Sequence, residues 1–326
     1  MYVVLIFNPT SGISSIVADR IPPEETEQRI LSTLRTYGIE PEVYHTTPED
    51  TGQGLAARAA AANADIVIAA GGDGTTHAVA TGLLGTQSAL GIIATGTMNN
   101  LSRSLSIPET IEEACAAIAT GETRLIDVGK INEHVFLEGA GVGLEAALFP
   151  AAEEIKSPGL FKTIRGAVAG LITLLTFKPA RIRITIDEIR RRPYRAIQVT
   201  ICNSPFYGAH LQVAPQVLMD DGLLDVAIYR DFSKLEYLRH AISISQGRRN
   251  FQPKIRFRRA RSLRITADHP LEIQADGVPQ GYTPAIVKTL PGALRVRVPG
   301  TQAPGLHDEQ YVVESSTPVQ VTYLES

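Results

Sequence analysis

Apolar residues arrive along the first third of the chain in short runs separated by helical stretches. Val3–Phe7 is an apolar run with β-branched residues that stops at Asn8-Pro9. The pattern then predicts a helix over Glu24–Tyr37 ended by Gly38, a strand over Glu42–His45 and an alanine-rich helix over Leu55–Ala62. Ile66–Ala70 reads as a buried strand, followed by a glycine-rich turn and a helix from Thr76 to Leu84. Leu90–Ala94 is another strand leading through a turn into a helix, and Ile111–Thr120 is a helix stopped by Gly121. Strands alternating with helices predict a parallel sheet covered on both faces.

The rhythm changes near residue 125. Strands are predicted over Leu125–Ile131, His134–Ala140, Ile182–Ile186, Ala196–Cys202, Leu223–Tyr229, Ile255–Arg259, Ser262–Ala267, Leu271–Ala275, Ala285–Leu290 and Leu294–Val298. Several alternate apolar and polar positions, the mark of a half-buried antiparallel sheet. Helices over Gly159–Thr176 and Leu235–Gln246 interrupt them. The expected architecture is α/β with two domains: an α/β domain over residues 1–125 and a mostly β domain over 126–298. A polar tail over 299–326 is expected to run over the surface or to be partly disordered.

Composition narrows the classes. The 326 residues are 44% hydrophobic and 20% charged, which suits about two globular domains. A formal net charge of -3 argues against a generic polyanion binder. Cys115 and Cys202 lie far apart, and a structural zinc site needs about four ligands. Neither zinc nor a disulfide framework is expected, and a reducing, cytoplasmic compartment fits. The first residues form no basic leader, and the longest strongly apolar helical stretch, Ala167–Phe177, is well short of the ~20 residues needed to cross a bilayer.

Candidate chemistry sits in loops after strands. Gly71-Gly72-Asp73-Gly74-Thr75 lies between a buried strand and a helix. Glycines let the backbone approach a phosphate, and the helix N-terminus offers free N–H groups. Asp73 would repel phosphate by itself. It makes sense if it holds Mg²⁺, directly or through water, or anchors the loop. The next strand supplies Thr95-Gly96-Thr97-Met98-Asn99-Asn100, and the first strand ends in Asn8-Pro9-Thr10-Ser11-Gly12. Loops on neighbouring parallel strands lie side by side and can wrap a polyphosphate. The spacing is neither the P-loop nor the dinucleotide fingerprint.

In that order, Asn-Pro-x-Ser-Gly, Gly-Gly-Asp-Gly-Thr and Gly-Thr-x-Asn resemble the diacylglycerol kinase catalytic domain shared by bacterial soluble lipid kinases and sphingosine kinases. The resemblance runs from residue 1 to about 298. It implies a first domain like those of phosphofructokinase and NAD kinase, followed by a β-sandwich. It also implies an ATP- and Mg²⁺-dependent transfer of the γ-phosphoryl group to a lipid hydroxyl, with diacylglycerol the acceptor expected from the bacterial branch. Carried over by residue, Asn8, Pro9, Thr10, Ser11 and Gly12 form part of the ATP site. Gly71, Gly72, Asp73, Gly74 and Thr75 cradle the phosphates, with Asp73 linked to magnesium. Thr97 and Asn99 belong to the second loop, and Thr46 or Thr47 supplies a further ATP contact. Leu218 and Leu223, through their carbonyls, and Asp221 correspond to a structural Mg²⁺ turn. Read without the family, Asp220-Asp221-Gly222 is a hairpin turn. Asp276-Gly277-Val278 matches the Asp-Gly-Glu motif near the catalytic centre. With valine in place of glutamate, Asp276 becomes the candidate base; the plainer reading is a turn. Charge is also absent at Ala78 and Asn100, where the family carries Glu and Asp.

The resemblance also implies a lipid partner at a membrane surface, with peripheral contact at its inner face. Arg181, Arg183, Arg190, Arg191, Arg192 and Arg195 form one basic run. Arg248, Arg249, Lys254, Arg256, Arg258, Arg259, Arg261 and Arg264 form another. These read as contacts to an anionic bilayer or as solvated strand faces. Nucleic acid is not expected, because no aromatic platforms interleave with the cations. The apolar segment Gly159–Phe177 reads as a lid over acyl chains, the side of a lipid cleft, or a core helix packed on the β-sandwich. Two other functions stay open: a small-molecule kinase related to NAD kinase, and a lipid- or nucleotide-binding protein without catalysis.

Overall fold

The computed structural model describes residues 1–11, 21–156, 159–190, 193–206, 214, 216–245 and 254–300. Its first part repeats strand and helix: β1 (Val3–Phe7), α1 (Pro23–Thr36), β2 (Glu42–His45), α2 (Gln53–Ala61), β3 (Ile66–Gly71), α3 (Asp73–Leu83), β4 (Ala89–Ala94), α4 (Asn100–Ser104) and α5 (Ile111–Thr120). The strands pair in parallel in the order β4-β3-β1-β2. β1 and β3 are buried at every position, as a sheet covered on both faces requires. Helix ends follow local chemistry. Pro23 opens α1, Glu24 and Glu25 sit in its first turn and Arg35 in its last, all favourable to the helix dipole. Thr110 Oγ1 caps α5 by accepting from the Glu113 amide at 3.3 Å.

The second part contains β5 (Glu122–Ile131), β6 (His134–Phe136), β7 (Gly139–Gly143), α6 (Leu144–Lys156), α7 (Leu160–Thr176), β8 (Ala180–Ile186), β9 (Ile189–Arg190), β10 (Tyr194–Cys202), β11 (Leu224–Arg230), α8 (Lys234–Ser245), β12 (Ile255–Ala260), β13 (Ser262–Ala267), β14 (Glu272–Ala275), β15 (Val278–Tyr282) and β16 (Ala285–Val298). These strands pair antiparallel around a second core that includes Val142, Ile184, Val199, Val226, Ile265 and Ile273. The mixed α/β architecture, an α/β domain followed by a β-sandwich-like domain, is the expected one.

β16 joins the two parts. Its beginning pairs antiparallel with β13, and its end pairs in parallel with β4, Val296 opposite Leu90. β5 runs antiparallel beside it and crosses residue 125 without a break. Ala285 and Val287 belong to the second core, whereas Leu294, Val296 and Val298 belong to the first. The two strands expected here are one, with Pro291 and Gly292 at a register shift opposite β5. Proline lacks an N–H and is tolerated where the ladder is irregular.

Further elements differ from the sequence expectation. α6 was not expected, because it follows a glycine run and has Pro150 inside it. β15 was hidden by Pro279 and Gly281. The strand expected over His134–Ala140 divides into β6 and β7, and α3 starts at Asp73 rather than Thr76. The tail from residue 301 onward lies outside the described residues.

Candidate active site

Parallel pairing sets the loops side by side. The Asn8 amide donates to the Ala70 carbonyl at 2.9 Å, and the Thr95 amide donates to the Gly71 carbonyl at 2.9 Å. The loops after β1, β3 and β4 therefore continue their strands in register. Asn8 Nδ2 donates to Thr75 Oγ1 at 2.8 Å, and Asn8 Oδ1 accepts from the Thr10 amide at 3.0 Å. Thr95 Oγ1 donates to Ser11 Oγ at 3.0 Å. The two glycine loops touch backbone to backbone: a Cβ on Gly96 would lie 2.6 Å from the Gly72 Cα. Only glycine permits that approach. Gly74 has open space where a side chain would stand, so the start of α3 faces outward.

Asp73 ties the loops together. Its Oδ2 accepts from the Asn99 amide at 2.9 Å and its Oδ1 from the Asn100 amide at 3.0 Å. Of the two roles open from sequence, loop anchoring is realised directly. A carboxylate has about four acceptor positions, so two remain toward a cation or its water. Asn99 holds a left-handed backbone, φ 52°, which asparagine tolerates. Thr97 is exposed on the same rim. Thr46 and Thr47 follow β2, where His45 sits opposite Phe7, so they lie beside the first loop. Thr47 closes a turn with Asp50, whose carboxylate receives the Gly52 and Gly54 amides. Gly12 lies outside the described residues.

The second domain presents Asp276 to this rim. Three backbone amides converge on its carboxylate: Leu137 at 2.7 Å on Oδ2, Glu138 at 3.0 Å and Gly139 at 2.9 Å on Oδ1. From α3, His77 Nε2 stands 3.5 Å from Asp276 Oδ2 and 3.2 Å from the Val135 carbonyl oxygen. A carbonyl only accepts, so Nε2 carries the proton. Burial raises the Asp276 carboxyl above the usual aspartate range, with His77 and the three amides pulling against it. A second link crosses the seam: Asn100 Nδ2 donates to Glu138 Oε2 at 2.9 Å, and both residues are buried.

His77 and Glu138 were not among the sequence candidates. His77 follows the glycine loop in His77-Ala78-Val79, and nothing local to it signals a partner in the second domain. Glu138 had one signal, an acid closing the apolar run Val135-Phe136-Leu137. Val278, at the place of the family glutamate, is 58% exposed on β15.

The turn at Leu218–Leu223 sits beside β5, where the Asp127 amide donates to the Met219 carbonyl at 2.6 Å. Asp221 Oδ1 accepts from the Leu223 amide at 2.9 Å, and its other oxygen pairs with Arg259. Asp127 receives the Gly222 amide at 2.6 Å, and Arg124 holds Asp220. A guanidinium thus lies against the Asp221 carboxylate that the resemblance gives to a metal.

Residues 2–131 match the diacylglycerol kinase catalytic domain, and residues 140–298 match the YegS C-terminal NAD kinase beta sandwich-like domain. A diacylglycerol kinase of Bacillus subtilis is 28% identical over 93% of this chain and 98% of its own length. An uncharacterized Synechocystis protein, sll0036, is 31% identical over 90% of this chain and 70% of its own. A crystal structure of a candidate diacylglycerol kinase from Bacillus anthracis has a TM-score of 0.73 at 25% identity, covering 91% of this chain and 97% of that one. The matched catalytic domain and the kinases it aligns with make the chain a phosphotransferase acting on an alcohol group. The chain belongs to the diacylglycerol kinase catalytic-domain family.

Proposed function

We propose that the chain is a lipid kinase that moves the γ-phosphoryl group of ATP to a lipid hydroxyl, with diacylglycerol as the first acceptor to test. The observation that carries this reading is the placement of Asp276 at the seam, clamped by three amides and faced by His77 from the helix that follows the glycine loop. In this reading the triphosphate lies along the loops after β1, β3 and β4, with its anionic oxygens on backbone N–H groups at the start of α3. The lipid hydroxyl gives its proton to Asp276 as its oxygen bonds to the γ-phosphorus. The bond from that phosphorus to the β,γ-bridging oxygen breaks, and ADP leaves with the electron pair. The raised carboxyl of Asp276 favours proton uptake. Magnesium bound with the nucleotide near Asp73 would neutralise phosphate charge.

Exposed Val278 favours one second reading, a binding protein that lacks turnover. Transfer of label from γ-labelled ATP separates the two. The acceptors are diacylglycerol, ceramide, a sphingoid base and NAD, the lipids in mixed micelles with Mg²⁺. Label is expected in diacylglycerol and is expected to fall roughly 10²–10⁴-fold in Asp276→Asn. Asp73→Ala is expected to weaken nucleotide binding by loosening both loops. The asparagine NH₂ would also oppose amide donors, so a thermal melt of each variant is the control. A folded native chain that binds ATP and labels no acceptor, or labels NAD alone, would overturn the lipid-kinase reading.

A further inference from the structure

The hairpin turn that carries Asp276 rests on a buried amide. β14 and β15 are joined by two residues, Asp276 and Gly277, with Ala275 opposite Val278. Both hold left-handed backbone, φ 42° and 81°. Such a turn needs a fixed support, because aspartate tolerates this conformation without preferring it. One support is backbone: the Asp276 amide donates to the Gly139 carbonyl at 2.9 Å. The other is a side chain: the Gly277 amide donates to Gln274 Oε1 at 2.8 Å. Gln274 is fully buried, at 0% exposure.

Gln274 is itself set from α6. It stands opposite Gly141 on β7, and Gly141 stands opposite Thr200 on β10. Residues opposite one another share a face of the sheet, and Gly141 leaves that face open between the two polar side chains. Glu145, in the first turn of α6, lies over the gap: a Cβ on Gly141 would come within 3.2 Å of its Oε1 and 2.8 Å of Gln274 Nε2. The carboxylate divides its oxygens. Oε2 accepts from Thr200 Oγ1 at 2.6 Å and Gln198 Nε2 at 3.1 Å, and Oε1 accepts from Gln274 Nε2 at 3.4 Å. A carboxylate only accepts, so Glu145 draws the Gln274 NH₂ to itself and turns the carbonyl oxygen toward Gly277. With the amide reversed, an NH₂ group would face the Gly277 N–H, two donors with no acceptor between them. α6 also touches the turn directly, since a Cβ on Gly277 would lie 2.9 Å from Phe149 Cε1.

We propose that Gln274, oriented by Glu145, is the positioning residue that holds the Asp276–Gly277 turn at the domain seam. The proposal deepens the lipid-kinase reading and rests on it for its purpose. The carboxylate that takes the hydroxyl proton stays in line with the reacting oxygen only while the turn is held, and a misplacement of about 1 Å can lower a rate about 10²-fold.

Exchanging the two side chains tests the pair. In Glu145→Gln the new NH₂ meets that of Gln274, and in Gln274→Glu two carboxylates meet. The double variant Glu145→Gln/Gln274→Glu restores the pairing with donor and acceptor exchanged: Thr200, Gln198 and the Gly277 amide each keep an acceptor, and one NH₂ again faces one oxygen. Three quantities are measured: kcat on diacylglycerol in mixed micelles, affinity for ATP, and amide hydrogen exchange over residues 272–282. Each single variant is expected to lose roughly tenfold to 10²-fold in kcat, with ATP affinity unchanged and exchange in the turn faster. The double variant is expected to recover both kcat and protection. A thermal melt of each protein separates release of the turn from global unfolding. Native kcat and native exchange in both single variants would overturn the proposal. So would a double variant no better than the worse of its parents, because the two positions would then act separately. In a chain that labels no lipid, release of the turn in the single variants and its return in the double variant would uphold the hold on Asp276 and sink only the kinase reading.

Discussion

Asp276 is pulled in two directions. Burial raises its carboxyl, while the cation-capable ring of His77 and three amides lower it. In the proposed mechanism Asp276 takes the proton and must be ionised, so the acid limb of kcat/KM against pH should lie above the usual aspartate range. Removing the counter-pull moves it further. In His77→Gln the limb is expected to shift to higher pH, seen in a full pH profile, with the alkaline limb in place. A second pairing concerns charge placement. The family carries aspartate where this chain has Asn100, and here the carboxylate arrives from Glu138 across the seam, 2.9 Å from the amide. Asn100→Asp alone would set two carboxylates together and is expected to lower both stability and kcat/KM. Glu138→Gln alone is expected to lower kcat/KM about tenfold. The pair Asn100→Asp/Glu138→Gln should recover most of the activity, with a coupling of about 0.5–3 kcal/mol in a double-mutant cycle. Losses that simply add would show that the carboxylate is required at 138 itself.

Among elements, legibility followed locality. β1, β3 and β4 were readable because short β-branched apolar runs ended in glycine or asparagine loops, and parallel pairing of those strands sets the loops side by side. Asp73 was readable with two open roles, and the partners of the anchoring one, the Asn99 and Asn100 amides, depend on a close approach that only folding reveals. The meeting of His77 with Asp276, and of Asn100 with Glu138, depends on how the two parts close and leaves no local pattern. α7 shows a different limit. Periodicity predicted the helix but not which side packs: Gly166 and Gly170 face α6 and Leu174 packs on the core, while Phe161, Leu171 and Leu175 are exposed. Pro150 obscured α6 in the same way that Pro279 obscured β15. The carried-over magnesium turn shows a third. Its backbone was legible as a turn, while the Arg259 partner of Asp221 lies on β12 and could not be placed from spacing.

At the scale of the molecule, β16 makes one unit of two cores. Leu294 is 1% exposed and sits just past the bend at Pro291 and Gly292. Leu294→Ala is expected to cost about 2–5 kcal/mol. Because the strand is hydrogen-bonded into both parts, the loss should appear as one shifted transition. Urea unfolding followed by far-ultraviolet circular dichroism and by tyrosine fluorescence checks this, and two separated midpoints would show that the cores unfold independently. β16 also fixes an order of events during synthesis. Until the ribosome has delivered residue 298, the β4 edge has no partner, and an unpaired edge strand invites association with other chains. A nascent chain holding only the glycine loops would therefore carry them on a sheet with an open flank, and phosphoryl transfer would begin only once the far end of the polypeptide had closed the sheet where its first third began.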